Sequence, residues 1–238
     1  MEEWLSRTSL LLGESSLSRL RQAHVLVVGI GGVGAYAAEM LVRAGIGGIT
    51  LLDADRVEPT NLNRQLVALH STLGRPKVEV LGERLRDIHP GLRLHTESYF
   101  LTAEAVAERL ETPYDFVVDA IDTIAPKTAL LEACFHRKIR IISSMGAGAR
   151  LDPSAVAYAD IADTCYCGLA REVRRRLREK GIRRGVEVVF SREQPRRSAL
   201  QMQEGESGPS KVVGTVSYLP ALFGCYLAAY VIRKLAEE

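Results

Sequence analysis

The sequence predicts a doubly wound α/β fold on a mainly parallel, Rossmann-like sheet, and three observations support it. Short continuous apolar runs alternate with longer stretches of helical periodicity, the pattern of strands covered on both faces by helices. The first run ends in a glycine-rich turn, "GIGGVG". Polar residues with chemistry to offer follow the runs rather than precede them, and open parallel sheets bind ligands beyond those strand ends.

Taken in order, His24–Val28 is the first apolar run, and residues 49–52, 116–118 and 139–142 are three more. Each is bounded by turn residues or charged helical stretches, which makes each a strand. The helices are expected at 33–44, at 77–88 with its Glu and Arg exterior, at 102–110 and at 126–137. Residues 191–211 are rich in Gly, Ser, Pro and Gln and read as a mobile loop. Residues 212–232 carry no charge over 21 positions, long enough to cross a bilayer. Gly214, Pro220 and Gly224 interrupt that run and Ser217, Tyr218 and Tyr230 add polar groups. A buried helix over 215–235 that closes the fold is the simpler expectation. No repeat or linker divides the chain, so residues 1–238 read as a single domain.

Composition excludes little and localises charge. With 238 residues, 47% apolar and 25% charged, the chain has the makeup of a soluble globular protein. A domain of that length buries roughly 70–75% of its unfolded surface and needs no covalent staple. The net charge of +2 argues neither for nor against nucleic acid, yet residues 171–197 hold 11 Lys or Arg against 4 Asp or Glu. Four cysteines, Cys134, Cys165, Cys167 and Cys225, include no Cys-x-x-Cys pair, and no signal peptide precedes the first strand. Free thiols in a reducing cytoplasm follow. Cys165 and Cys167 have no second pair with which to complete a tetrahedral metal site, and Cys134 and Cys225 are expected in the core.

Gly29, Gly31, Gly32 and Gly34 let the backbone approach a phosphate while the next helix directs its positive end at it. Asp53 comes 24 residues after Gly29, where an acid meets a ribose hydroxyl. Asp122 ends "VVDAID", and the glycines of "SSMGAGA" follow the next strand. The glycine turn alone does not separate dehydrogenases, methyltransferases and unrelated turns. The sequel "DADRVEPTNLNRQ" is more specific, because a nicotinamide site tolerates little positive charge, whereas Arg64 beside the amides of Asn61, Asn63 and Gln65 suits triphosphate oxygens. Lys77 adds a second cation, and both Lys77 and Asp122 are expected at exposed element ends. The plainer alternative is that the amides cap a turn and Arg64 is solvated.

Together, "GIGGVG", "LLDAD", "TNLNRQ", "GRPKVE" and "DAID" resemble the ubiquitin-activating-type (E1-like) adenylating enzymes of bacteria, in the same order from about residue 6 to 235. Within that superfamily "SRTSLLLGESSLSRLRQAHVLVVG", "RPKVEVLGERLRDIHP" and "GLAREVRRRLREKGIRRGVEVVFSREQP" look like the branch that cyclises N6-threonylcarbamoyladenosine in tRNA beside the anticodon. The resemblance implies an E1-like adenylation fold with ATP and magnesium. It implies that Gly29, Gly31, Gly32 and Gly34 line the phosphates, that Asp53 and Asp55 serve the nucleotide, and that Thr60, Asn61, Asn63, Arg64 and Gln65 frame the triphosphate. Lys77 would bind phosphate oxygens, and Asp122, with Thr123 beside it, would hold the metal. Arg7 would reach into the partner's site of a homodimer, and the branch admits a sulfur-relay protein partner.

Departures also inform. Sulfur-carrier activators usually hold a structural zinc with two Cys-x-x-Cys pairs, absent here, and no cysteine can be nominated for thioester chemistry, which favours the dehydratase branch. The basic run "REVRRRLREKGIRRG" reads by itself as a solvated helix face. Beside a tRNA substrate, Arg174, Arg175, Arg178, Arg183 and Arg184 are expected to meet phosphates. No aromatic platform for RNA bases is visible in the sequence. Two other readings stand beside this one: an activator of a ubiquitin-like sulfur carrier, and a nucleotide-binding protein without turnover or a nicotinamide oxidoreductase.

Overall fold

The computed structural model describes residues 3–205 and 208–237, with side chains outside 202–211. Helices α1 (Ser6–Leu12) and α2 (Glu14–Gln22) precede β1 (His24–Val28). The chain continues through α3 (Gly34–Arg43), β2 (Gly48–Leu52), α4 (Lys77–Ile88), β3 (Arg93–Glu97), α5 (Val106–Arg109) and β4 (Phe116–Asp119). Next come α6 (Ile124–Arg137), β5 (Ile141–Ser144), β6 (Val156–Asp160), α7 (Gly168–Glu179) and β7 (Glu187–Ser191). A hairpin of β8 (Leu200–Gly205) and β9 (Gly208–Val213) leads into α8 (Tyr218–Ala236).

Seven strands form one sheet in the order β3-β2-β1-β4-β5-β7-β6, and β6 alone runs antiparallel to its neighbour. The chain winds outward from β1 through β2 to β3 and then restarts at β4 on β1's other side. The crevice between β1 and β4, at their carboxyl ends, is therefore the topological switch point where such sheets bind ligands. β1 shows why the sheet needs helices on both faces. Val25 and Val27 join the core shared with α3 and α8, whereas Leu26 and Val28 join the one under α5 and α6.

Helix α8 accounts for the uncharged C-terminal stretch. It is apolar and long enough to cross a bilayer, but 44% of that window is buried within the protein, with Leu219, Phe223, Leu227 and Val231 lying fully buried at helical spacing. Pro220 sits in its first turn, where a missing N–H costs nothing, so the helix starts at Tyr218 rather than at 215. Gly224 lets α8 press against α3, since a Cβ there would lie 2.4 Å from the Val33 carbonyl oxygen.

Several expected boundaries move for identifiable reasons. The helix expected at 102–110 is confined to Val106–Arg109, because Thr102 Oγ1 accepts from Ala105 N and holds the preceding residues in a turn. The strand expected at 139–142 is Ile141–Ser144. Lys138 adopts a left-handed φ of 56°, and Ile139 N closes onto Cys134 O, so residues 138 and 139 cap α6, which ends at Arg137 as expected, and the ladder begins later. The stretch expected as a loop at 191–211 contains the end of β7 and the backbone ladder of β8 with β9, from Leu200↔Val213 to Gly205↔Gly208. A two-stranded ladder draws on backbone groups and needs no apolar run, which is why composition concealed it.

The α3–α8 contact yields a stability prediction. Gly224→Ala should cost about 1–3 kcal/mol in urea denaturation, the usual penalty of overpacking. Gly168→Ala, where an added Cβ meets nothing within 4 Å, should stay within about 0.5 kcal/mol. Equal effects at the two positions would contradict the packing account.

Candidate functional site

The turn after β1 is shaped by what a side chain would strike. Gly29 has φ +90°, and a Cβ there would sit 2.7 Å from Ala120 O, so the turn lies directly on the segment leaving β4. A Cβ on Gly34 would lie 1.8 Å from Gly29 O, which fixes glycine at the start of α3. Gly31 differs, its nearest neighbour being Gln65 Nε2 at 3.9 Å, so the backbone there faces open space. Asp53 braces the turn from β2: its Oδ2 accepts from Ile30 N at 2.5 Å and its Oδ1 from Asp55 N at 2.7 Å. The N-terminus of α3 and its positive dipole thus border a cradle for an anion.

The polar turn after β2 lines the same cradle. Asn61 caps the turn, accepting from Glu58 N at 3.2 Å, so the capping reading holds for that residue. It does not hold for the others. Asn63 Nδ2 donates to Thr215 O at 3.0 Å and links the turn to the start of the C-terminal segment. Arg64 is half-buried, and its Nη1 donates to Thr60 O at 2.8 Å and Asn63 Oδ1 at 2.9 Å. Gln65 is buried, with an Oε1 that has no hydrogen-bond partner among the described residues. An orphaned buried acceptor beside an open glycine is a site built for something to fill.

Lys77 departs from expectation. Its side chain is 4% exposed rather than solvated, and Nζ pairs with Asp55 Oδ2 at 2.7 Å. The helix start turns inward because Lys77 N also bonds Asp55 O, folding α4 back onto the β2 turn. The ammonium is therefore held in place before any ligand arrives.

Sequence reasoning missed the group that organises the far wall. Asp119 and Lys127 are both 0% exposed and pair at 2.8 Å. Ser143 Oγ donates to Asp119 Oδ2 at 2.6 Å, Ile121 N donates to Oδ1 at 3.0 Å, and Lys127 Nζ donates to Ile121 O at 2.9 Å. These bonds fix residues 119–121, so β4 ends at Asp119 and Asp122 emerges three residues later, exposed and unpartnered among the described residues, with Thr123 exposed at the start of α6. A signal existed: Lys127, Leu130, Leu131 and Cys134 share one buried helical face, and a lysine on an apolar stripe needs a buried partner.

After β5, Ala149 takes a left-handed φ of 61°, its N donating to Gly214 O and its O accepting from Arg196 N, both at 2.8 Å. Arg150, 4% exposed, donates to Gly146 O at 2.7 Å, Gly148 O at 3.1 Å, Tyr166 O at 2.6 Å and Glu193 O at 3.0 Å. This buried cation ties together the rim beyond β5 and β7.

The remaining expected residues lie elsewhere. Arg7 is exposed on α1, and the turn just before it packs through Leu5 near Gly45 and through Trp4 against His89, at the end of the sheet where strands begin. Arg183 and Arg184 precede β7 at that same end, Arg184 pairing with Asp163 at 2.6 Å. Arg174 is half-buried and donates to Ile161 O and Thr164 O, while Arg175 is held between Glu172 and Glu179. Arg178 is exposed without an acid partner among the described residues. Of the thiols, Cys134 is buried, and desolvation pushes its pKa up to about 12, which makes it inert, whereas Cys165 is exposed.

The ThiF family model matches residues 5–238. A tRNA threonylcarbamoyladenosine dehydratase of Bacillus subtilis is 38% identical over 98% of this chain and 94% of that protein, and one of Escherichia coli is 37% identical over 100% and 96%. The crystal structure of the E. coli tRNA N6-threonylcarbamoyladenosine dehydratase in complex with ATP superposes with a TM-score of 0.89, again over 100% and 96%. By contrast, an adenylyltransferase and sulfurtransferase MOCS3 of Anopheles gambiae, 38% identical, matches 65% of this chain and 34% of its own.

The buried pair yields a prediction. Lys127→Met leaves Asp119 as an uncompensated buried carboxylate and should cost about 3–5 kcal/mol in urea denaturation. The double variant Lys127→Met/Asp119→Leu should recover a large part of that loss. A single variant within about 1 kcal/mol of the parent would contradict the role assigned to the pair.

Proposed function

The chain belongs to the ThiF family, and from that premise we propose that it is an ATP-dependent dehydratase of N6-threonylcarbamoyladenosine in tRNA. The observation that carries this reading is the meeting, at the β1/β4 crevice, of an open glycine cradle, the orphaned Gln65 Oε1, the braced cations Arg64 and Lys77, and the unpartnered Asp122. Full-length similarity to dehydratases, against partial similarity to a sulfur-carrier adenylyltransferase, supports the same branch. The tRNA substrate points to the cytoplasm, and the half-buried α8 fits a core helix.

The chemistry answers a simple obstacle. A carboxylate is a poor electrophile, because its charge is delocalised and its oxygen leaves reluctantly. Its attack on the α-phosphate of ATP forms a C–O–P linkage and breaks the bond to pyrophosphate. A nucleophile on the same modified side chain then attacks the carbonyl, loses its proton and expels AMP, so the oxygen of the lost water departs in AMP. Since both groups sit on one substituent, ring closure gains from proximity and needs no enzymic thiol.

In this reading Gly29 through Gly34 receive the phosphates and Asp53 and Asp55 flank the ribose side. Thr60, Asn61, Asn63 and Gln65 frame the α-phosphate, while Arg64 and Lys77 neutralise charge growing around phosphorus. Each such preorganised donor is worth on the order of 3 kcal/mol. Asp122, with Thr123 beside it, would hold magnesium. Among the described residues no cluster of three or more His, Cys, Asp or Glu could hold a metal, and magnesium usually completes its shell with phosphate and water. Bound there, it would neutralise phosphate charge.

Arg7 completes the site only from a second copy, because its own chain holds it at the opposite end of the sheet. Leu10 and Leu11 beside it are 88% and 84% exposed, and Leu69 and Leu73, near the polar turn, are 57% and 38% exposed. Two apolar patches on opposite ends of one chain suit a two-fold dimer in which each covers the other.

Incubation with threonylcarbamoyladenosine-containing tRNA, ATP and magnesium should yield a nucleoside lighter by one water in mass spectrometry, with AMP formed in step; an unchanged nucleoside mass would refute the assignment. Asp122→Asn should lower AMP formation by at least about 100-fold while moving stability by no more than about 0.5 kcal/mol. Lys77→Ala should lower both, since its ammonium is buried. Arg7→Ala chains mixed with Asp122→Ala chains should regain part of the activity, and no recovery would remove Arg7's role in trans.

A further inference from the structure

The arginines of the basic segment divide into two electrostatic groups. On α7 they are largely answered: Glu172 binds Arg175 and Arg176, Glu179 binds Arg175, and hydrogen bonds from Arg175 and then Arg176 hold the Glu172 carboxyl at about 2. Arg192, Arg196 and Arg197 are different. They are exposed and, like Arg171 in the first turn of α7, have no acid partner among the described residues. Among the described residues the nearby acids Glu193 and Asp152 are engaged, Glu193 accepting from Leu151 N and Asp152 N, and Asp152 from Ser154.

Backbone bonds seat this second group on the rim of the site. Arg192 N donates to Ala155 O at 2.9 Å and Arg196 N to Ala149 O at 2.8 Å, on the segment that follows β5. Tyr166 reaches the same rim through its carbonyl, held by the buried Arg150 guanidinium. Tyr166 has φ +51°, a strained conformation for a bulky residue, and is 57% exposed, without a ring or hydroxyl partner among the described residues. An aromatic ring kept in water on a strained backbone by a buried cation is a surface prepared for contact.

We infer that Tyr166, Arg171, Arg192, Arg196 and Arg197 form the tRNA docking surface, an inference that rests on the dehydratase reading. The arginines take backbone phosphates around the target nucleotide, and Tyr166 stacks on an unpaired base beside it. A single-stranded loop offers both features at once, closely spaced phosphates and bases with free faces. An acidic peptide would offer the charge but no face to stack.

The test is tRNA binding by the full chain, read by fluorescence anisotropy over a series of salt concentrations, with thermal melting to report folding. Tyr166→Ala should weaken binding about ten-fold and Tyr166→Phe should restore it to within about two-fold. Tyr166→Gly should raise the melting temperature while weakening binding, because it relieves the backbone and removes the ring. The triple variant Arg192→Ala/Arg196→Ala/Arg197→Ala should flatten the salt slope by about 2 to 3. The inference is overturned if that slope is unchanged, if Arg178→Ala/Arg183→Ala flattens it instead, if Tyr166→Ala binds like the parent, or if Tyr166→Gly lowers stability along with binding. Parent protein that binds ATP but no tRNA would overturn the dehydratase reading itself.

Discussion

The buried contact between Lys127 and Asp119 is the constraint from which the rest of the site follows. Both charges are fully removed from water, an arrangement that seldom adds net stability over apolar packing. Its consequence is geometric. With both carboxylate oxygens occupied and the ammonium on Ile121 O, the turn leaving β4 has one conformation. Ala120 in that turn is the wall against which Gly29 folds, and Gly29 O is the floor on which Gly34 opens α3. The glycine cradle and the emerging Asp122 are thus two faces of one braced turn, and misplacement of either would disturb the other.

The legible parts of this molecule were those whose chemistry is carried by backbone form or by an uninterrupted apolar run. β1, β2, β4 and α4 declared themselves, and so did the glycine turn and the polar turn after β2, because glycine, amides and arginine in that order have few structural uses. β3, reading RLHTE, and β6, reading VAYAD, were silent because they are edge strands half open to water, the first mostly polar and the second built largely on small alanines. β7 was hidden inside a basic segment, its apolar run only three residues long, Val188 to Phe190. Arg150 was illegible for a deeper reason: a sequence marks a charged side chain as polar, and without an apolar stripe such as the one that flags Lys127, only packing reveals that it points inward. The same limit applied to Lys77, expected in water and found buried.

Positive charge at the rim is consequently of two kinds. Lys77 and Arg64 are fixed in advance, by Asp55 and by Thr60 O and Asn63, so in the proposed reaction they would meet a developing negative charge without reorganising. Arg192, Arg196 and Arg197 are exposed and without an acid partner among the described residues, which suits a polyanion whose counterions are released on contact. Arg150 belongs to neither kind. Among the described residues its hydrogen bonds go to carbonyl oxygens, so its charge serves to hold loops together.

The position of Arg7 imposes the last constraint. A rigid α/β sheet keeps its two ends apart by the length of its strands, about 3.3 Å per residue, so a guanidinium at the end where strands begin cannot bend round to the other. Helix α2 is anchored there by Gly47 N to Leu20 O and Gly48 N to Ala23 O, and Leu5, just before α1, packs near Gly45, which removes the option of a swinging arm. Any contribution of Arg7 to phosphate chemistry therefore has to cross between chains. Under two-fold symmetry that crossing occurs twice, so one interface would complete both sites, and assembly would become a condition of catalysis rather than a means of stabilising the fold.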